Sequence, residues 1–248
     1  MCDVGQGDAM VLRAGDGSAV VVDAGPDPTL VDRCLRRLHV TRVPLLVLTH
    51  FHADHVEGIP GVERGRSLGP VLVSPLADPP GEVYRAHLWL GGSGLTMRVA
   101  AAGDRWTVGE VTLRVVWPTR LIRGQGSDPN NASIALVGTV SGVSVLLCGD
   151  LETAAQDAVL ATGSVGAIDV VKVPHHGSEK QSPGWVAATR PRIALIGVGL
   201  GNDYGHPSPG TVAAYRAAGA VVGRTDLDGD LAVLVDDTGR LGLVRRGS

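Results

Sequence analysis

Aromatic residues are scarce: four tryptophans, three tyrosines and one phenylalanine make up 3% of the 248 residues. That scarcity argues against a choline-binding aromatic cage and against a row of base-stacking platforms. Lysine is scarcer still. Lys172 and Lys180 stand alone among 22 basic residues, the rest being arginines, which reads as a GC-rich coding habit rather than as phosphate binding. With 25 acidic residues the formal net charge is −3, so no bulk positive field marks a nucleic-acid binder. No apolar run approaches the ~20 residues of a membrane span. Met1–Gly5 shows no basic region followed by an apolar stretch, so no signal peptide is expected and the isolated chain should be soluble. Cys2, Cys34 and Cys148 are too few for a complete disulfide framework and show no CxxC spacing. Cys34 and Cys148 lie in apolar surroundings and are expected to be buried hydrophobes.

What remains is a globular composition, 44% hydrophobic and 19% charged, long enough for one large core; one domain over residues 1–248 is expected. Ala9–Arg13 and Ala19–Asp23 read as strands joined by a turn at Gly15–Gly17, and Leu45–Thr49 is a continuous apolar run, as in a strand buried on both faces. Helical spacing runs from Pro28 to Leu38, and helices are also expected over Gly81–Leu90, Leu151–Ala161 and Ser208–Ala218. Further strands are Val71–Ser74, Leu95–Ala101, Val111–Trp117, Ser133–Val140, Val143–Cys148, Ile168–Val173, Arg192–Val198, Val221–Arg224, Leu231–Val235 and Leu241–Val244, with Thr119–Asn131 a loop. Hairpin-like pairs among alternating helices predict an α/β fold of two mixed sheets packed face to face, with helices outside.

The chemistry gathers at strand ends. Directly after Leu45–Thr49 comes His50-Phe51-His52-Ala53-Asp54-His55. Three imidazoles and a carboxylate within six residues are costly to bury without a cation, and this donor set suits Zn²⁺, Mn²⁺ or Fe. Alternate residues point in different directions, so two neighbouring ions can share them: His50 and His52 on one, Asp54 and His55 on the other.

The His50-x-His52-x-Asp54-His55 motif after a hydrophobic strand resembles the signature of the metallo-β-lactamase superfamily, and the resemblance runs the length of the chain. It implies a four-layer αββα sandwich with two divalent metal ions (Zn²⁺ or Mn²⁺) at one edge. Asp23, in Val22-Asp23-Ala24-Gly25, matches the aspartate that orients the metal-binding loop, and Asp150, in Cys148-Gly149-Asp150, matches the carboxylate that bridges the two ions. Asp150 is also expected to cap the helix Leu151–Ala161. Asp3-Val4-Gly5-Gln6-Gly7-Asp8-Ala9, Asn131-x-Ser133, Pro174-His175-His176-Gly177-Ser178 and Tyr204-Gly205-His206-Pro207 together resemble the C-terminal metallo-β-lactamase-like domain of the ComEC competence proteins. In that family the domain accompanies a polytopic membrane channel for DNA uptake, which implies DNA as a partner, the channel portion as another, and a place on the extracytoplasmic face of the membrane.

One departure from the superfamily pattern stands out. Many members carry a further metal-binding histidine about twenty residues before the bridging aspartate; here Asp128–Ser133 contains none. One ion is therefore expected to be more open, and β-lactam hydrolysis is disfavoured. Of the adjacent pair, His175 is expected to be the ligand by position and His176 to face substrate. His206 is a candidate phosphate contact or leaving-group acid. Gln6 and Asp8 are expected to line the cleft, and Asn131, Ser133, Ser178 and Tyr204 to support it or touch substrate. The implied activity is metal-dependent phosphodiester hydrolysis, a nuclease of natural competence, with Asp54 or Asp150 orienting the attacking water. Rivals are a small-molecule phosphodiesterase acting on choline-phosphate groups, and a DNA-binding domain with a vestigial metal site. Arg33, Arg36, Arg37 and Arg42, or Arg64 and Arg66, are candidate DNA contacts, although a solvated helix face explains the first group equally well.

Overall fold

The short β-rich runs assemble into two mixed sheets in a computed structural model that describes residues 1–247. The first contains β1 (Met10–Gly15), β2 (Ser18–Val22), β3 (Arg42–Leu48), β4 (Ser67–Leu68), β5 (Val71–Val73) and β6 (Met97–Val99), in the order β1-β2-β3-β5-β6 with β4 on the edge of β3. Only the β1–β2 hairpin is antiparallel. The second contains β7 (Arg105–Val108), β8 (Val111–Trp117), β9 (Ala135–Val140), β10 (Val143–Leu147), β11 (Val170–Lys172), β12 (Ile193–Ile196) and β13 (Val221–Arg224) in reverse spatial order. Its β7–β10 half is an antiparallel meander and its β10–β13 half is parallel. A closing hairpin, β14 (Leu231–Val235) and β15 (Leu241–Arg245), stands beside them.

Alternation along the strands sorts the apolar side chains into three cores. Val20, Val22, Leu45, Val47 and Leu72 of the first sheet meet Leu113, Val115, Leu136, Val145, Leu147, Ile193 and Leu195 of the second. The outer face of the first sheet is covered by α1 (Pro28–Arg37), α2 (Ala53–Val56), α3 (Ile59–Glu63) and α4 (Pro80–Gly92). That of the second is covered by α6 (Thr153–Ala161), α7 (Pro183–Thr189) and α8 (Pro209–Ala217), with α5 (Asp128–Asn131) and α9 (Thr225–Asp228) as single turns. The result is the expected four-layer αββα sandwich. Among the described residues, no helix is long and apolar enough to cross a membrane.

Three local expectations change. Cys34 is buried but not free: it forms a disulfide with Cys2, 32 positions away, and so ties the segment ahead of β1 to α1. Cys148 is the buried free thiol. The helix after β10 begins two residues later than expected, with Glu152 at its N-cap, so Asp150 caps nothing and its carboxylate is available elsewhere. Strand β7 escapes a pattern search because Arg-Trp-Thr-Val is short, half polar and paired on one side only.

Candidate metal centre

The candidate functional residues lie where the parallel strands end. Strand β3 is flanked by β2 and β5, and Val43 and Leu45–Leu48 have no exposed surface, so polar residues can begin only where pairing stops, at Thr49. His50, His52, Asp54 and His55 follow within one turn of chain leading into α2. Asp23 follows the neighbouring β2, Asp150 follows β10, and His175 and His176 follow β11. The segment carrying Asp8 closes over this edge by an Asp8 N–H bond to the Asp54 carbonyl at 3.2 Å. Gly7 permits that approach: its φ is +148°, and a β-carbon there would collide with the Asp54 carbonyl.

The side chains converge in two groups. His55 Nε2 and His176 Nε2 lie 3.3 and 3.2 Å from Asp150 Oδ2, and Asp54 Oδ2 lies 3.1 Å from His176 Nε2 and 3.8 Å from His55 Nε2. Both Nε2 atoms are buried without a well-directed hydrogen bond; they are aimed at the space between them rather than at a partner. Beside this group, His50 Nε2 and His52 Nδ1 face each other at 3.0 Å. One donor atom each from Asp8, His55, Asp150 and His176 falls within 4.8 Å of the others. Buried nitrogen and carboxylate donors with orphaned ring nitrogens fit a divalent cation of the zinc or manganese kind.

The orientation of each ring is enforced from behind. Asp23 accepts from Thr49 N (2.7 Å) and Thr49 Oγ1 (2.8 Å) and lies 2.9 Å from His55 Nδ1, which fixes the His55 proton on Nδ1 and leaves Nε2 facing the site. The Gly197 carbonyl, 2.7 Å from His176 Nδ1, does the same for His176. Thr49 Oγ1 and Ser133 Oγ flank His50 Nδ1 at 3.2 and 3.3 Å, and Ser133 Oγ also accepts from Asp150 N. Three of these positions carry backbone strain. Asp23, His175 and His176 all have positive φ (61°, 50° and 52°), a region costing non-glycine residues about 1–3 kcal/mol each.

Electrostatics follow from the packing. Burial opposes the charge on His55 and His176, but Asp150 with Asp23 and Asp54 drives His55 well above the ordinary imidazole value, and Asp150 with Asp8 raises His176 to about 10. Burial likewise opposes ionisation of Asp54 and Asp150, yet the imidazoles hold both carboxyls below their usual range. His206 is pushed down to about 4, first by burial and then by His175 and His176, so its resting form at neutral pH is the neutral imidazole. That form can donate or accept one hydrogen bond but holds no spare proton for a leaving group.

The remaining sequence candidates fall at varying distance from this centre. His175 is turned aside: its Nε2 is 4.0 Å from Asp150 Oδ2 and 3.4 Å from Asn130 Nδ2, and its Nδ1 lies 3.5 Å from Glu152. His206 meets His175 edge-on and stacks with His176, at ring-centroid distances of 5.2 and 6.2 Å, and the exposed Tyr204 stacks with it at 5.9 Å. Gln6 accepts from Gly199 N and braces the loop that carries Tyr204 and His206. Asn131 and Ser178 bond within their own loops, Asn131 Nδ2 to the Gln125 carbonyl and Ser178 Oγ to Lys180 N. The arginines are largely committed elsewhere: Arg36, Arg64 and Arg66 converge on Asp32, with the Arg66 side chain buried, and Arg37 pairs with Asp230.

Sequence reasoning missed Lys172. Its ammonium is buried beside Asp8 and Asp150 and donates to the Gly149 carbonyl at 2.7 Å. Burial pulls its pKa down, but Asp8 and Asp150 outweigh that and raise it. A signal existed: one of two lysines in the chain interrupts an apolar strand. Asn130 and Glu152, which bond to each other beside His175, had no such signal.

Competence protein ComA of Neisseria gonorrhoeae is 27% identical over 92% of the chain, and ComE operon protein 3 of Bacillus subtilis is 25% identical over 93%. The chain spans about a third of the length of these relatives, 31% and 32%. A putative metal-dependent hydrolase from Parabacteroides distasonis has the same fold, with a TM-score of 0.54 and 16% identity, over 90% of this chain and 99% of its own. The metallo-beta-lactamase superfamily profile matches residues 2–183. With the four-layer sandwich and its histidine-rich edge, that match places the chain in the metallo-beta-lactamase superfamily, whose members are generally metal-dependent hydrolases.

Proposed function

We propose that this protein is a metal-dependent phosphodiesterase acting on DNA during its uptake into the cell. The observation that carries the reading is the convergence of buried, orphaned ring nitrogens and carboxylate oxygens at one sheet edge. Asp54, His55, Asp150 and His176 are assigned to one Zn²⁺ or Mn²⁺ ion. His50 and His52, together with Asp150, would hold a second and more open one. His175, favoured by position in the sequence, faces the Asn130–Glu152 side and is assigned to substrate. Such ions, when bound, activate water and offset charge on a phosphoryl oxygen. Asp54, partly exposed and held ionised, orients the attacking water, and neutral His206 donates a hydrogen bond to the phosphate.

Two observations support the cellular setting. The relatives above are competence proteins about three times longer, so the remainder of such a protein, including a membrane channel, is the natural partner. The Cys2–Cys34 disulfide suits an oxidising, extracytoplasmic compartment. Residues 1–248 are read as one domain, because the two sheets share a central core. The test is hydrolysis of bis-p-nitrophenyl phosphate and of labelled single- and double-stranded DNA with Mn²⁺ or Zn²⁺. EDTA should abolish both activities. An equal rate in His52→Ala would identify a contaminant. Cleavage of the small diester alone would favour a small-molecule phosphodiesterase, and tight DNA binding without turnover a vestigial site.

A further inference from the structure

We propose that Lys172 is a resident counter-cation of the metal centre, a positioning residue that withholds Asp8 and one oxygen of Asp150 from the metal and so weakens divalent-cation binding. The inference rests on the metal-centre assignment above. Lys172 is the last residue of β11, 2% exposed, and its three ammonium protons face three oxygens: the Gly149 carbonyl at 2.7 Å, Asp150 Oδ1 at 3.2 Å, and Asp8 Oδ2 in the closest contact.

This splits the Asp150 carboxylate. Oδ1 is committed to Lys172, while Oδ2 faces His55 Nε2 and His176 Nε2. The ammonium thereby fixes the rotation of the carboxylate and presents a single oxygen to the ion. Asp8 is fully buried, and the imidazoles nearest it are committed elsewhere, His176 Nδ1 to the Gly197 carbonyl and His55 Nδ1 to Asp23. Lys172 is the cation in closest contact with it, although an Asp8 oxygen falls within 4.8 Å of the other donors.

The charge count points the same way. Asp8, Asp23, Asp54 and Asp150 bring four negative charges to the edge, and Lys172 supplies the one permanent positive charge in contact with them. Without it the site is one charge more negative, and Asp8 is free to act as an additional ligand. Both effects draw a divalent cation in more strongly. A purely structural lysine predicts the opposite, since its loss would loosen the loops and weaken binding.

The experiment measures Zn²⁺ affinity by competition with a chromophoric chelator, and melting of the metal-free protein, for the full chain, Lys172→Met and the double variant Asp8→Asn/Lys172→Met. Lys172→Met should bind Zn²⁺ at least about tenfold more tightly while its metal-free form melts lower, because two buried carboxylates have lost their cation. The double variant removes both charges of the pair and should return the affinity to within about threefold of wild type. Weaker or unchanged binding in Lys172→Met, or no reversal in the double variant, would overturn the proposal. Should Lys172→Met not fold, the double variant decides: wild-type-like affinity supports the pairing, and failure to fold or to bind refutes it. Wild-type protein that binds no Zn²⁺ would instead refute the metal-centre assignment itself.

Discussion

Replacing Asp23 by asparagine probes how the centre is held from behind. Asparagine keeps the volume and tolerates the positive φ of 61° at this position, so the backbone need not move. Its carbonyl oxygen can still accept from Thr49 N in place of Oδ1. The amide nitrogen then replaces Oδ2, which now accepts from Thr49 Oγ1 and stands 2.9 Å from His55 Nδ1. Thr49 can rotate its hydroxyl, but His55 cannot adapt without cost. Two N–H donors would face each other in a fully buried contact, so the imidazole must give up its Nδ1 proton and carry it on Nε2, the atom aimed at the metal. Loss of an outer ligand contact of this kind costs about 10–100-fold in metal affinity, or about 1.4–2.8 kcal/mol. Zinc competition against a chromophoric chelator reads the change, and circular dichroism checks that the variant remains folded. Asp23→Asn with affinity within threefold of wild type would refute the claim that Asp23 sets the His55 tautomer.

Three further outcomes follow from charge and covalent structure. Because His55 is raised and His176 stands at about 10 in the metal-free protein, both carry protons at pH 7 that a cation must displace; calorimetry in buffers of different ionisation enthalpy should show up to two protons released per chain. For stability, a raised histidine contributes fully below its unfolded value of 6.5 and loses that contribution as pH climbs through 10, whereas the depressed Asp150 contributes above 3.8 and loses its share as pH falls. His50, His52, His175 and His206, held below 6.5 chiefly by burial, act the other way and lose stability as pH falls below that value. EDTA-treated protein should therefore melt highest near pH 6.5, and melting that rises steadily from pH 7 to 10 would contradict the assignment. Cys2→Ser/Cys34→Ser opens a loop closed across 32 positions and should lower unfolding stability by about 3–4 kcal/mol in urea titration, on the chain-entropy account. An unchanged midpoint would show that the β1 segment is held without the bond.

The strands, the sandwich and the density of ligands were legible in the sequence, because burial on both faces of β3 leaves an uninterrupted apolar run and because three histidines in six residues leave little room for another reading. The motif Pro174-His175-His176-Gly177-Ser178 announced that an imidazole would arrive at the end of β11. Which of the two points inward was set by tertiary contacts. Consecutive positive φ values at His175 and His176, held by the Gly149 and Gly197 carbonyls, turn His176 Nε2 onto Asp150 and His175 toward Glu152. Nothing local favours that conformation; the surrounding fold imposes it. The pairing of Cys2 with Cys34 likewise depended on α1 packing beneath the chain's first residues, and the burial of Lys172 between Asp8 and Asp150 on two loops arriving from opposite sheets. Sequence specified which groups would reach the sheet edge, through hydrophobic periodicity and motif. The distances at which they met, and hence their charges and partners, arose only when strands far apart in the chain were brought side by side.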